Sequence, residues 1–148
     1  MALGENAVCQ VAIVVRDIEA AIKKWAGVLG APPPAWHMTG PKEESHINYR
    51  GQSTDARAKL AFFELGQVSL ELIEPVGGPS VWQEVLDRSG PCVHHIAFRI
   101  KGMDAALAGL SKQGLPTLQR SDFTNGCSGY VDSAKDLGVI VELLEHFK

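Results

Sequence analysis

The stretch that decides the fold is Gln10-Val-Ala-Ile-Val-Val-Arg-Asp-Ile-Glu-Ala-Ala-Ile22, because the chain contains a second version of it. That version is His95-Ile-Ala-Phe-Arg-Ile-Lys-Gly-Met-Asp-Ala-Ala-Leu107, and the two align without a gap. A second pair of segments also aligns, Leu70-Glu-Leu-Ile-Glu74 with Val141-Glu-Leu-Leu-Glu145. The identities are few, but strand-like and helix-like patterns follow one another in the same order. The sequence therefore indicates an internal repeat of two similar halves.

Each half begins with a β-rich run and continues into a helical pattern. The runs Val8–Val15 and Val93–Ile100 are dense in Val, Ile and Phe, which favour strands. Asp17 is a suitable N-cap for the first helix, and Gly30 and Gly114 end the two helices. Further strands are predicted at roughly His46–Arg50, Ala58–Leu65, Val68–Glu74, Thr117–Arg120, Ser128–Asp132 and Val139–Glu145. The sequence thus predicts an α+β fold built from two βαβββ modules.

We expect residues 1–148 to form one domain, with module 1 at about 7–75, a linker helix at about 80–89 and module 2 at about 92–147. In the linker, Ser80-Val-Trp-Gln83 has the pattern of a capping box. The segment Ala31–Glu44 contains four prolines and is predicted to be a long loop, the kind of segment that often carries function.

The bulk properties exclude several classes of protein. Hydrophobic residues make up 45% of the chain and charged residues 21%, which excludes a mainly disordered protein. The net charge of -3 and the lack of a Lys/Arg block argue against a nucleic-acid partner, and no apolar run has the length of a membrane span. The three cysteines are far apart, and the N-terminus has no secretion-signal pattern. We therefore expect a cytoplasmic protein without a disulfide framework.

The repeat places four polar residues at equivalent points inside apolar strands. Gln10 and His95 lie in the first strands of the two halves, and Glu71 and Glu142 lie in the last strands. Two carboxylates buried close together are costly unless a cation compensates for their charge. If one face of each half converges on the other, these four side chains form a site for one divalent metal ion. This donor set suits Zn²⁺, Ni²⁺, Co²⁺, Mn²⁺ or Fe²⁺, and the pattern does not choose among them.

Three residues close in sequence to the candidate ligands are not expected to bind the metal. Strand alternation predicts that His94 points to the face opposite His95. Glu74 and Glu145 each lie three residues beyond a candidate ligand, so they also face away, and we expect them to be solvated at strand ends.

The motifs QVAIVVRDIEAA, LELIEP, VHHIAF and GVIVELLEH resemble those of the vicinal-oxygen-chelate superfamily. That superfamily includes glyoxalase I, methylmalonyl-CoA epimerase, extradiol dioxygenases, and fosfomycin- and bleomycin-resistance proteins. The resemblance covers nearly the whole chain and is strongest to the epimerases. It implies two modules that form a curved, half-barrel mixed sheet around the metal. The matching metal positions are Gln10, Glu71, His95 and Glu142, and Gln at the first of these resembles glyoxalase I.

The resemblance also implies a chemistry. Members of the superfamily bind adjacent substrate oxygens on the metal, which stabilises the enolate formed when a carbon acid loses its proton. By similarity to glyoxalase I, Glu142 is the first candidate for the base and Glu71 its partner on the opposite side. A small-molecule substrate is implied, such as an acyl-CoA or another thioester or carbonyl compound. We expect a homodimer, with the site either within one chain or across two.

One feature of the epimerases is missing from this sequence. The epimerases use an additional Glu from the second-strand region, but residues 45–57 contain none, and Glu43 and Glu44 lie too early in the alignment.

Two further functions are compatible with the pattern of this chain. The first alternative is an extradiol-type dioxygenase, although such sites use two His where this chain has Gln10 and His95. The second alternative is a non-catalytic small-molecule binding or resistance protein, and the four intact candidate ligands argue against it.

Overall fold

The computed structural model describes residues 6–147. Its elements follow one another in the order β1 (Val8–Val14), α1 (Ile18–Leu29), β2 (His37–Met38), α2 (Lys42–Ser45), β3 (Asn48–Tyr49), β4 (Gln52–Ser53), β5 (Arg57–Glu64), β6 (Ser69–Val76), α3 (Val81–Ser89), β7 (Cys92–Arg99), α4 (Met103–Lys112), β8 (Thr117–Phe123), β9 (Gly126–Val131), α5 (Ala134–Leu137) and β10 (Ile140–His146).

The two copies of the repeated stretch fold alike, each as a strand followed by a helix. In α1 the N-cap Asp17 accepts a hydrogen bond from the Ala20 N–H at 3.1 Å, and Gly30 ends the helix in the left-handed region. Both features agree with the prediction. The helix begins after Asp17 because the first N–H groups of a helix need an acceptor. It ends at Gly30 because the residue after the last turn must tolerate positive φ.

Glu74 and Glu145 have a structural role that differs from the predicted solvated one. Glu74 accepts a hydrogen bond from the N–H of Ile18 at the start of α1. Glu145 accepts from the N–H groups of Gly102 and Met103 at the start of α4, and these bonds lower the pKa of its carboxyl. Each carboxylate is drawn to the unpaired N–H groups and positive end of the helix in its own half. The prediction that both face away from the candidate ligands agrees with these contacts.

One mixed sheet of ten strands runs through the described residues, in the order β2-β5-β6-β1-β7-β10-β9-β8-β3-β4. It curls into a half-barrel, which confirms the predicted α+β class. The halves join where β1 and β7 pair antiparallel, and each of these strands has a parallel neighbour from the end of its own half, β6 or β10. The strands that carry the four candidate ligands are therefore the four central neighbours of the sheet.

The second strand of the first half is not the one the sequence predicted. The strand that corresponds to β8 is the short β2, which pairs with β5. The predicted His46–Arg50 segment instead contains β3, the first strand of the β3–β4 hairpin, and β3 pairs with β8 of the other half. The hairpin turns at Arg50 and Gly51, which have φ values of 51° and 84° and so suit a two-residue turn. A local pattern indicates a strand here, but it does not identify a partner so distant in the chain.

Three apolar clusters hold the helices on the sheet. One packs α1 against β5 and β6, a second packs α4 against β9 and β10, and a third surrounds α3 and includes Trp82 and Tyr130. In the part of the chain that the structure describes, no helix is both long enough and apolar enough to span a bilayer.

Candidate metal centre

The four predicted site residues meet at one point inside a single chain. His95 Nε2 lies 3.1 Å from Gln10 Oε1, 2.9 Å from Glu142 Oε2 and 3.5 Å from Glu71 Oε1. The exposed fractions of Glu71, His95 and Glu142 are 6%, 0% and 4%. The site forms because β6, β1, β7 and β10 are adjacent and each turns one polar side chain to the same face.

A cavity of about 810 Å³ opens onto this cluster. Its wall includes Gln10, Glu71 and Glu142 together with Tyr130. The predicted long loop contributes residues 37–40, so this loop does border the site. It is more ordered than predicted, because it contains β2 and leads directly into α2.

Glu44 also lines the cavity, although the sequence alignment placed it too early to take part. It lies on α2, the single turn that precedes the β3–β4 hairpin, and it is exposed. The misplacement has the same cause as the wrong second strand: residues 42–53 pack on the other half of the sheet, which the repeat alone does not indicate.

The buried charges of the cluster determine its protonation when no metal is bound. Burial raises the pKa of Glu71, and His95 opposes this shift. Burial by itself lowers the pKa of His95, but the carboxylates of Glu142 and Glu71 outweigh burial and raise it to about 9. An imidazolium between two carboxylates therefore supplies the positive charge that the site requires near neutral pH.

The donor set also suits a divalent metal ion. Ligand atoms bound to one ion at about 2.0–2.2 Å, at tetrahedral or octahedral angles, are roughly 2.8–3.6 Å apart. The three distances from His95 Nε2 fall in that range. Among residues 6–147, no three His, Cys, Asp or Glu side chains are arranged as a metal site by themselves.

The orientation of the Gln10 amide depends on what occupies the centre. While His95 Nε2 carries no hydrogen, Oε1 of Gln10 faces only acceptor atoms, an arrangement that a cation in their midst would stabilise. With the amide reversed, its nitrogen would donate to Glu71 and Glu142 at 3.2 and 3.0 Å, and to a neutral His95 Nε2 at 3.1 Å. When Nε2 carries a hydrogen it can only donate, and Gln10 Oε1 is then an acceptor for it at 3.1 Å. The residues therefore fit a metal ion or an imidazolium with the amide oxygen inward.

The family model described as the Glyoxalase/Bleomycin resistance protein/Dioxygenase superfamily matches residues 9–130 of this chain. The chain belongs to this superfamily. The match includes Gln10, Glu71 and His95, which confirms the resemblance found in the motifs. It ends before Glu142, whose place beside His95 comes from the structure.

A curated relative and several solved structures are also similar to this chain. The protein YqjC of Bacillus subtilis (strain 168), described as uncharacterized, is 34% identical over 95 residues, which are 62% of this chain and 67% of the relative. The hypothetical protein BH1468 from Bacillus halodurans C-125 has a TM-score of 0.70 at 19% identity, covering 97% of this chain and 96% of that one. Methylmalonyl-CoA epimerase from Mycobacterium tuberculosis has a TM-score of 0.65 at 22% identity, covering 94% and 87%. At these identities the two structures show that the fold is shared.

His94 is a buried neighbour of the centre, not a residue of the opposite face. Ala12 pairs with His95 and Ile13 pairs with Val93, so His94 is the extra residue of a β-bulge. A bulge interrupts the alternation of side chains, and this is why the prediction for His94 is wrong. His94 Nδ1 lies 2.8 Å from His95 Nδ1, on the side of the ring away from the carboxylates. The centre therefore contains one imidazole nitrogen, which is unlike the two-His site of an extradiol dioxygenase.

Tyr130 is a site residue that the sequence analysis missed. It is the direct cross-strand partner of Glu142, and its ring centroid lies 4.8 Å from that of His95. Burial and the carboxylates of Glu142 and Glu71 raise the pKa of its hydroxyl well above the usual value, so Tyr130 stays protonated. A tyrosine in a strand ordinarily indicates packing, and only the pairing of β9 with β10 places it here.

Proposed function

We propose that this protein is a metal-dependent isomerase or lyase that removes a proton from a carbon next to a carbonyl group. The observation that carries the proposal is the pair of buried carboxylates, Glu71 and Glu142, on either side of His95 at the base of the cavity. The metal ligands in this proposal are Gln10, Glu71, His95 and Glu142. When bound, one divalent ion would supply a Lewis acid for the negative charge that develops on the substrate oxygen.

The carboxylate pair is suited to move the proton. Glu71 and Glu142 are 6% and 4% exposed, and burial raises the pKa of Glu71, which makes its carboxylate a stronger base than one in solution. Glu142 remains the first candidate by similarity to glyoxalase I, with Glu71 opposite. Glu44 reaches the cavity from another wall, but it is exposed, and so we keep the proton transfer on the buried pair.

The substrate class follows from the relatives and from the first ligand. Structural neighbours include methylmalonyl-CoA epimerases, whose name indicates an acyl-CoA substrate. Gln10 at the first ligand position is similar to glyoxalase I. We therefore propose a small thioester or other carbonyl compound, either an epimerase-type acyl-CoA or a glyoxalase-type hemithioacetal.

The first prediction concerns proton exchange. Metal-loaded wild-type protein incubated in D₂O is expected to exchange the α-proton of at least one acyl-CoA or hemithioacetal, followed by NMR. Glu71→Gln and Glu142→Gln are each expected to fold normally and to lower the exchange rate by about 10²- to 10⁴-fold, because each removes a candidate base. Glu44→Gln is expected to retain exchange.

Glu74→Gln is the matched control, since it makes the same change three residues along the strand of Glu71 and on its other face. It should leave the metal content and the exchange rate as in wild type. The proposal is overturned if the metal-loaded wild type exchanges no proton in any acyl-CoA or hemithioacetal, or if both glutamine variants exchange at the wild-type rate.

A further inference from the structure

Two chains of contacts lead away from the candidate ligands and end at neighbouring residues of α3. From His95 the chain passes through His94, whose Nε2 lies 3.2 Å from the carbonyl oxygen of Val81. From Glu142 it passes to Tyr130, whose hydroxyl accepts a hydrogen bond from Trp82 Nε1 at 3.0 Å. We propose that the first turn of α3, acting through His94 and Tyr130, orients His95 and Glu142 and so strengthens metal binding. This inference rests on the proposed metal-dependent function.

The His94 chain fixes which nitrogen of His95 carries hydrogen. A carbonyl oxygen can only accept, so His94 Nε2 must donate to Val81. His94 is 2% exposed, and its neighbours are a carbonyl, an imidazole and the Tyr130 ring, none of which carries a negative charge that would pair with a second hydrogen; with Nε2 donating, its Nδ1 therefore has a lone pair. That lone pair accepts from His95 Nδ1, which leaves His95 Nε2 as the nitrogen that faces Gln10 and the carboxylates. Outer hydrogen bonds of this kind set the tautomer and ring orientation of metal-binding histidines.

The Tyr130 chain acts on the carboxylate. Because its oxygen accepts from Trp82, the hydroxyl hydrogen of Tyr130 is free to point elsewhere, and the nearest strand partner is Glu142. Tyr130 and Trp82 are 4% and 5% exposed, so their hydrogen bond is largely shielded from water. The Tyr130 ring also packs against both His94 and His95, at centroid distances of 5.5 and 4.8 Å.

Hydrogen bonds fix the N-terminus of α3. Ser80 caps the helix by accepting from the Gln83 N–H at 3.0 Å. The N–H of Val81 donates to the side-chain oxygen of Gln119 on β8 at 2.8 Å. A fixed helix end is a suitable support for ligands that must be held in one geometry.

One matched position of the first half differs in chemistry. Phe62 is the cross-strand partner of Glu71, as Tyr130 is of Glu142, but it has no hydroxyl. The hydroxyl contact is therefore available to the carboxylate of the second half and not to its counterpart in the first.

The test measures the affinity for Co²⁺, whose visible absorption reports the coordination geometry, by titration of metal-free protein. Tyr130→Phe removes one oxygen and is expected to weaken binding by about 10- to 100-fold. Tyr49→Phe, which removes a hydroxyl from β3 outside the site, is the matched control and should bind as wild type does. His94→Leu should weaken binding to a similar extent, whereas His94→Asn, which keeps an acceptor near the position of Nδ1, should recover most of it.

A measurement on the unaltered protein remains informative if these variants do not fold. In Zn²⁺-loaded wild type, ¹⁵N NMR of the histidine rings should show His95 bound through Nε2 with hydrogen on Nδ1. Binding through Nδ1, or wild-type affinity in both Tyr130→Phe and His94→Leu, would overturn the inference and leave the proposed function intact. Failure of the wild type to bind either ion would overturn both.

Discussion

At the scale of single residues, His95 determines the chemistry of the centre. Its Nε2 faces three oxygen atoms. These oxygens could share a metal ion with Nε2, or accept hydrogen bonds from Nε2 when it carries a hydrogen. Two carboxylates raise its pKa to about 9, so near neutral pH the metal-free protein holds a proton where the ion would bind. Metal and proton therefore compete for one nitrogen, as they do for metal-binding histidines generally.

This competition predicts how the stability of the metal-free protein depends on pH. The pKa of His95 is raised from 6.5 to about 9 on folding, so the folded state keeps a proton that the unfolded chain releases. The resulting stabilisation is fully present below pH 6.5 and is lost as the pH rises through about 9. Glu71, whose pKa is also raised, contributes a change of the same sign.

The melting temperature of metal-free protein, measured from pH 6 to 9.5, is therefore expected to fall across that window. In His95→Asn this fall should be largely absent. A melting temperature of the wild type that rises or stays level between pH 6.5 and 9 would contradict the prediction.

Residue patterns could indicate the candidate ligands but not the groups around them. Gln10, Glu71, His95 and Glu142 were recognisable because the repeat pairs them within apolar strands. His94 was assigned to the wrong face because a bulge cannot be located from alternation alone. Tyr130 reaches the centre only through the register of β9 on β10, which is a property of the folded sheet.

At the scale of elements, the β3–β4 hairpin shows how the first half completes the second. It pairs with the outer edge of β8 and carries α2, with Glu44, to the cavity wall. Helices α1, α3 and α4 and the strands β5, β6, β9 and β10 were predictable because their patterns are long and periodic. The two-residue strands β2 and β4 were not predicted, and β3 was predicted without its partner, because strands this short are fixed by their partners rather than by their own sequence.

Two glycine-to-alanine substitutions compare the effect on stability at the hairpin turn with the effect inside a helix. Gly51 has a φ of 84° and free space around it, so Gly51→Ala is expected to destabilise the protein by about 1 kcal/mol through backbone strain alone. Gly27 also has free space but lies in helix α1, so Gly27→Ala is expected to stabilise by about 0.5–1 kcal/mol. Urea denaturation of both variants checks the opposite signs. Equal effects of the same sign would show that the hairpin turn does not need the left-handed conformation.

At the scale of the whole molecule, the two halves form the centre within one chain. The antiparallel pairing of β1 with β7 places Gln10 beside His95, and the pairing of β3 with β8 links the halves a second time. Of the two arrangements that the sequence left open, this structure therefore has the site within a single chain. A homodimer remains a prediction, and size-exclusion chromatography with light scattering tests it.

The charge of the cavity limits the substrates that suit it. Among residues 6–147, its lining contains five carboxylates and one guanidinium: Glu44, Glu64, Glu71, Asp122 and Glu142, with Arg99. A divalent ion leaves this balance negative, so a substrate that brings a further carboxylate to the reacting carbon meets repulsion. Of two thioesters that differ by one carboxylate, such as propionyl-CoA and methylmalonyl-CoA, we expect the neutral acyl group to bind more tightly.

Isothermal titration of the metal-loaded protein at two ionic strengths measures this difference. The gap in affinity between the two thioesters should narrow at high salt, which screens the repulsion, and in Glu64→Gln, which removes one of the charges. Comparison with Glu84→Gln, a surface change on α3 outside the cavity lining, separates the local effect from net charge. If methylmalonyl-CoA bound as tightly as propionyl-CoA at low salt, the acidic lining would not select the substrate. Arg99 would then be the group to test as a carboxylate partner, because its guanidinium lines the cavity.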